Sequence, residues 1–121
     1  MATGISFSVT IDKLDGLFTP AAELNVFRIV QEAVTNIVKH AAATQASVTM
    51  EREANALQVV IRDNGRGFDD ATAARQNGVG LTSLAERVLM LNGTHHIEST
   101  TNRGTTITIQ LPLTNDNRQL T

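Results

Sequence analysis

The run Ala46-Ser-Val-Thr-Met-Glu-Arg-Glu-Ala-Asn-Ala-Leu-Gln-Val-Val-Ile-Arg-Asp-Asn-Gly-Arg-Gly-Phe68 decides what kind of sheet this chain builds. Ala46 to Arg52 and Leu57 to Arg62 both carry β-branched and apolar residues at strand spacing. Glu53-Ala54-Asn55-Ala56 between them is long enough only for a tight turn. Strands joined so closely pair antiparallel, because a parallel partner needs a crossover of a dozen or more residues. The second strand runs out at Asp63 into a segment, up to Asn77, that has four Gly or Asn residues and no periodicity, and this reads as a loop.

Outward from this hairpin the pattern repeats its logic. Ile5, Phe7, Val9 and Ile11 alternate with Ser6, Ser8 and Thr10, the period of a half-buried strand. After a connector over Leu14 to Phe18, Thr19-Pro20 opens a helix, with Thr19 as cap and Pro20 in the first turn, running to about Ala42. Val79 to Leu91 is a second helix, with Leu81, Leu84, Val88 and Leu91 on one face, closed by Asn92-Gly93. His95 to Ser99 and Thr105 to Leu113 are two further strands around the turn Asn102-Arg103-Gly104. The tail after Pro112 is polar and is expected to fray. The order β-α-β-β-loop-α-β-β, with strands in hairpin pairs, predicts an α+β two-layer sandwich: a mixed sheet covered on one face by helices.

The chain has 121 residues, the size of one domain spanning 1–121, and its composition is 41% hydrophobic and 18% charged. Four Phe and no Tyr or Trp leave the core to aliphatic residues. A net charge of −2 argues against a nucleic-acid partner, which calls for a clustered basic excess. The absence of cysteine excludes disulfides and thiolate metal sites. No apolar run is long enough to span a bilayer and no signal pattern opens the chain, so what is expected is a soluble piece.

The first helix carries two faces. Phe27, Val30, Val34, Ile37 and Ala41 form an apolar stripe. Arg28, Glu32, Asn36 and Lys39 lie opposite, within roughly 80° of one another, with His40 at the edge. A solvated polar face is the plain reading of such a stripe. Asn36, however, is a poor helix former placed mid-helix, and its carbonyl oxygen is a hard ligand suited to Mg²⁺. Glu32 one turn before it and Lys39 one turn after could serve water or metal and phosphate respectively.

Asp63-Asn64-Gly65-Arg66-Gly67-Phe68 is neither a hairpin turn, since no strand restarts after it, nor a calcium loop, since Gly65, Gly67 and Phe68 stand where that loop has other residues. It leaves a carboxylate at a strand end, able to accept from an exocyclic amine such as that of adenine, and two glycines that let ligand and backbone come close. Gly78-Val79-Gly80-Leu81 enters the second helix, where free backbone N–H groups favour phosphate. It lacks a third glycine, position 83 being Ser83, and so is no dinucleotide fingerprint. Gly104-Thr105-Thr106 opens the last strand, as a turn followed by β-branched residues, with a threonine hydroxyl that could reach a base through water.

Taken together and in order, these segments resemble the boxes of the Bergerat-fold ATPases: DNA gyrase, a heat-shock chaperone class, a mismatch-repair protein and the histidine kinases. The resemblance covers nearly the whole chain. The N box is Phe27 to Ala41, and the glycine boxes are Asp63 to Phe68, Gly78 to Leu81 and Arg103 to Thr106. Gln-Glu-Ala before Asn36, Lys-His after it, the Glu86-Arg87-Val88 run and the short loop between Gly67 and Gly78 are similar to the nitrate/nitrite-sensor subgroup of histidine kinases. The resemblance implies that Asn36 ligates Mg²⁺, that Lys39 and His40 face the phosphates of ATP, and that Asp63 accepts from adenine N6 against a wall shaped by Gly65 and Gly67. Gly78, Val79, Gly80 and Leu81 would hold phosphates, and Thr105 would support the base through water. Glu32 matches the water-activating carboxylate of the hydrolysing relatives.

The resemblance further implies phosphoryl transfer to a histidine on a separate helical phosphoacceptor and dimerisation domain, with a response regulator downstream. It also implies a homodimeric full-length protein around a monomeric isolated domain, and a cytoplasmic location in a bacterial sensor anchored in the inner membrane. No acceptor histidine is expected here: His40 belongs to the N box, and His95 and His96 are neighbours on a strand and point to opposite sides. An anti-sigma-factor type of serine kinase and a non-catalytic docking module are the rival readings.

Overall fold

The computed structural model describes residues 5–12, 16, 18–66 and 81–113. Its order is β1 (Ser6–Ile11), α1 (Pro20–Asn36), a π turn (Ile37–Ala41), β2 (Gln45–Glu53), β3 (Ala56–Asp63), α2 (Leu81–Met90), β4 (Thr94–Thr100) and β5 (Gly104–Pro112). The five strands form one sheet in the order β1-β2-β3-β5-β4. β1 is parallel to β2, and the other pairs are antiparallel. This is the expected mixed sheet of an α+β sandwich. The glycine-box residues Gly67, Gly78, Val79 and Gly80, and the tail from 114 on, lie outside the described residues. Among the described residues no helix is long and apolar enough to cross a membrane.

α1 begins as its sequence dictates. The Thr19 hydroxyl oxygen accepts from the Ala22 N–H at 3.2 Å, Pro20 takes the first turn, and Glu23 sits there against the positive end of the helix dipole. The buried stripe is Ala22, Val26, Ile29, Ala33 and, on the π turn, Ile37. This corrects the stripe expected through Phe27: Phe27 is 60% exposed, while Val30 and Val34 are only partly buried. The cause is size. Ala22 and Ala33 let the helix axis approach the sheet closely, so the contact line turns toward them and away from the bulkier flank. That rotation brings Asn36, about 60° from the centre of the true stripe, toward the protein interior.

The inner face of the sheet supplies Val48, Met50, Leu57, Val59, Ile61, Ile107, Ile109 and Leu111, and α2 adds Leu84 and Val88, with Leu91 just beyond its end. Each such side chain stabilises by about 1.5–3 kcal/mol on full burial. α2 closes with Asn92 in the left-handed region at φ 59° and the Gly93 N–H donating to the Val88 carbonyl at 2.9 Å. Asn92, not the glycine, takes the left-handed position. Gly93 is required for another reason: a Cβ there would lie 2.6 Å from the Gln110 carbonyl oxygen and 2.7 Å from Leu111.

Candidate functional site

Asp63 ends β3 on the inner face of the sheet, level with Ala46 of β2 and Thr105 of β5. Among the described residues it is the buried polar side chain of the core, 9% exposed. Its Oδ1 accepts from the Gly65 N–H at 2.8 Å, which bends the chain back after the strand. Burial pushes the carboxyl above the ordinary carboxylate range, and the backbone N–H groups of Gly65 and Thr105 draw it part of the way back. An acceptor is thus held in a fixed direction with little water around it. Thr105 lies beside it, its hydroxyl 2.8 Å from that of Ser99 on β4.

The loop after Asp63 is clasped by a residue that sequence reasoning passed over. Asn64 accepts from the N–H groups of Thr44 and Gln45, both at 2.9 Å, and its amide nitrogen donates to the Thr44 hydroxyl at 3.0 Å. The end of β3 is thereby tied to the start of β2. The Asn-Gly pair carries a turn signal, but nothing in it names Thr44 as partner.

The same clasp fixes where α1 ends. The helix gives way to the π turn after Asn36, Ala42 turns left-handed at φ 54°, and β2 starts at Gln45, whose neighbour Ala46 pairs with Asp63. The C-terminal end of α1 therefore lies at the Asp63 end of the inner face. Single π turns of this kind widen a helix locally and recur where a helix end must shape a site. Asn36 is partly buried, and its amide nitrogen is the buried side-chain atom among the described residues without a hydrogen-bond partner. Lys39 is exposed on the π turn; the side chain of His40 lies outside the described residues, as does that of Leu81.

Glu32, one turn before Asn36, is engaged from α2. Its Oε1 accepts from Arg87 Nε at 2.7 Å and from the Ser83 hydroxyl at 3.2 Å, while Arg87 also donates to Asn25 Oδ1 at 3.0 Å. The sequence marks Arg87 only through the Glu86-Arg87-Val88 run. Its reach to Glu32, across 55 residues, is a tertiary fact. Among the described residues no group of three His, Cys, Asp or Glu side chains gathers.

A cavity of about 450 Å³ lies at this end of the sheet but on the outer side, among Ser6, Ser8, Ser47, Arg62, Arg103 and Thr106. It borders the Asp63 backbone, whereas the Asp63 carboxylate points inward with Ile61 and Val59. The C-terminal end of α1 and the Asp63 carboxylate are both on the inner side.

Residues 21–115 match the family model described as histidine kinase-, DNA gyrase B-, and HSP90-like ATPase. The chain is 42% identical over 99 residues to the signal transduction histidine-protein kinase/phosphatase DegS of Brevibacillus brevis, covering 82% of this chain and 25% of that protein. Against DegS of Bacillus subtilis it is 36% identical over 111 residues, covering 90% and 29%. Against the oxygen sensor histidine kinase NreB of Staphylococcus carnosus it is 35% identical over 97 residues, covering 80% and 28%. The chain thus spans between a quarter and a third of the length of these relatives. In fold it is similar to the blue-light activated histidine kinase of Erythrobacter litoralis, with a TM-score of 0.82 at 19% identity over 98% of this chain and 37% of that one. The histidine kinase AdeS of Acinetobacter baumannii gives 0.73 at 14% identity over 92% and 55%. A buried strand-end carboxylate, a helix that ends at the same end of the sheet and a family match over most of the chain converge: this chain belongs to the histidine kinase-, DNA gyrase B- and HSP90-like ATPase family, on its sensor histidine kinase branch.

Proposed function

We propose that this domain binds ATP as its magnesium complex and presents the γ-phosphate to a histidine on a separate phosphoacceptor segment. The observation that carries the reading is Asp63, a carboxylate buried at a strand end and aimed by two backbone N–H groups, which suits the exocyclic amine of adenine and repels the carbonyl that guanine has there. Thr105 stands ready to share a water with the base. Gly65 leaves the wall beside Asp63 low, and Gly67 would continue it.

Asn36 would hold magnesium through its carbonyl oxygen, a hard ligand, while its buried amide nitrogen, without a partner among the described residues, would donate to a phosphate oxygen. Bound there, Mg²⁺ would neutralise charge on the phosphates. Lys39 and His40 on the π turn would add positive charge near them, and the backbone of Gly78, Val79, Gly80 and Leu81, at the entry to α2, would supply N–H groups to the phosphate oxygens. Glu32, held by Arg87 and Ser83, would orient the reacting end of the nucleotide. Phosphoryl transfer asks for alignment and charge neutralisation more than covalent help, and these residues offer both.

The acceptor histidine, its dimerisation helices, a homodimeric full-length protein, a membrane anchor and a downstream response regulator belong to this proposal through the relatives. The decisive test is titration calorimetry with ATP and GTP, with and without Mg²⁺, followed by mixing the domain with a histidine-bearing helical hairpin and, separately, with a serine-bearing partner. ATP binding at least about a hundredfold tighter than GTP binding, with label on histidine, is expected. Equal affinity for the two nucleotides would remove the adenine assignment, and label on serine would replace the histidine kinase reading.

A further inference from the structure

The side of the sheet turned away from the helices carries a polar hollow of its own. Val48, Ile61 and Ile107 point into the core, so their chain neighbours Ser47, Arg62 and Thr106 point outward. Register sets these three, with Ser8 of β1, in one row across four strands. That row floors the outer cavity of about 450 Å³, and Arg103 flanks it from the turn between β4 and β5. The turn is fastened: the Asn102 N–H donates to the Arg66 carbonyl, and the Arg103 N–H donates to the Thr100 carbonyl at 2.9 Å. Among the described residues neither the Arg62 nor the Arg103 guanidinium has an ion-pair partner. The acid that borders the hollow, Asp63, turns its carboxylate to the inner face. The next acid along the row, Glu98 of β4, stands two strands from Arg62, about 10 Å across the sheet, and lies 3.8 Å from His96. Two uncompensated cations thus line one concave surface of a chain whose net charge is −2.

We propose that this hollow binds the phosphate monoester of a small hydroxyl-bearing metabolite. Guanidinium forks match phosphate oxygens bidentately, and the Ser47 and Thr106 hydroxyls add neutral donors between the two charges. The volume lies in the range of small-molecule sites, and a bare phosphate would fill only part of it. The rest of the wall, Ser6, Ser8 and Gln45, both donates and accepts, which suits hydroxyl groups and not an apolar body. A nucleic-acid strand does not fit, since two arginines make no basic stripe. A divalent cation does not fit either, since no carboxylate faces the hollow. The site stands back to back with the proposed base contact: Arg62 and Thr106 adjoin Asp63 and Thr105 in the chain and point to the opposite side. It is independent of the nucleotide reading, because it shares no side chain with the inner face.

The test follows the arginine Nε–H signals of the isotope-labelled chain by NMR, in low salt and without nucleotide or Mg²⁺. Inorganic phosphate, glucose 6-phosphate and glucose are titrated separately. The Arg62 and Arg103 signals should move with glucose 6-phosphate and stay still with glucose, while that of Arg87, on the helical side, serves as reference. Glucose 6-phosphate should bind about tenfold more tightly than inorganic phosphate, because its hydroxyls meet the polar wall. Arg62→Gln, at an exposed position that leaves the core untouched, should weaken glucose 6-phosphate binding about tenfold, and Arg62→Lys should restore part of it. ATP affinity should be parental in Arg62→Gln. Unmoved Arg62 and Arg103 signals, equal response to glucose, or parental binding in Arg62→Gln overturns the proposal. Equal affinity for inorganic phosphate and glucose 6-phosphate also overturns it, leaving an adventitious ion only. No readout of the hollow involves ATP, so failure of nucleotide binding would count against the kinase reading alone.

Discussion

Gly104 lies against the backbone of Asp63 so closely that a Cβ on it would collide with the Asp63 carbonyl oxygen and touch Asn64 Cα at 3.0 Å. Its φ of +88° also lies where side chains are disfavoured. The glycine that opens β5 thus serves the residue that closes β3. Gly104→Ala should cost about 2–4 kcal/mol, from the left-handed backbone and from overpacking together. Urea unfolding would measure it. A midpoint equal to the parent's would mean that the Asp63 strand end is free to retreat.

The Asp63 carboxylate carries its own stability cost. Burial raises its folded pKa above that of a solvated aspartate, so the folded state takes up the proton more readily than the unfolded chain. The contribution of this residue to stability is therefore full below the unfolded pKa and is lost as pH rises through the folded one. At neutral pH, Asp63→Asn should melt a few degrees higher without nucleotide, about what 1 kcal/mol yields in a domain of this size. The same substitution should weaken ATP binding about tenfold to a hundredfold, the worth of a hydrogen bond to a charged acceptor. Nucleotide affinity of the parent should also fall as pH drops into the raised range, and a variant that melts lower with full affinity would contradict both halves.

Much of this was readable beforehand, and the reasons differ by feature. Strand pairing followed from turn length: a connection as short as 53–56 permits only an antiparallel hairpin. The Asp63 acceptor was legible because two glycines follow a strand without a new strand after them. The apolar stripe of α1 was misread because periodicity reports which residues are apolar, not which small ones let the helix settle, and Ala22 and Ala33 set the contact. Arg87 on Glu32 and Asn64 on Thr44 could not be read at all, since each pairing depends on how distant elements are brought together.

Asn64 offers a sharp contrast between two substitutions. Its oxygen accepts two backbone N–H groups, and its nitrogen meets a hydroxyl that can reverse its role. Asn64→Asp should keep all three contacts, with the Thr44 hydroxyl now donating, and stay within about 0.5 kcal/mol of the parent. Asn64→Ala should lose about 1–3 kcal/mol. Equal losses by urea unfolding would show that amide geometry, not acceptance, holds the loop.

The Glu32–Arg87 pair joins the two helices, with side chains 23% and 30% exposed. Partial shielding and the extra hydrogen bonds, one donated by Ser83 to Glu32 and one by Arg87 to Asn25, place its coupling near the top of the range for such pairs, about 1 kcal/mol. A double-mutant cycle of Glu32→Gln and Arg87→Met should return that value and shrink in high salt. Coupling near zero would make the contact incidental.

Asn36 distinguishes a structural role from a functional one in a single substitution. Its amide nitrogen is buried without a partner among the described residues, an arrangement that weakens the apo domain, and asparagine is itself a poorer helix former than alanine. If the residue is there for the fold, Asn36→Ala should destabilise. If it is there for a ligand, removal should relieve the unpaired group, so the apo domain gains up to about 1 kcal/mol while Mg²⁺-dependent transfer from ATP to the acceptor histidine falls about a hundredfold. Nucleotide affinity without Mg²⁺ should hardly change, because the proposed contact to the base is made by Asp63 and not by Asn36. Thermal unfolding, calorimetry with and without Mg²⁺, and single-turnover transfer in the full-length protein separate the two cases. A destabilised variant that still transfers at the parental rate would assign Asn36 to the scaffold.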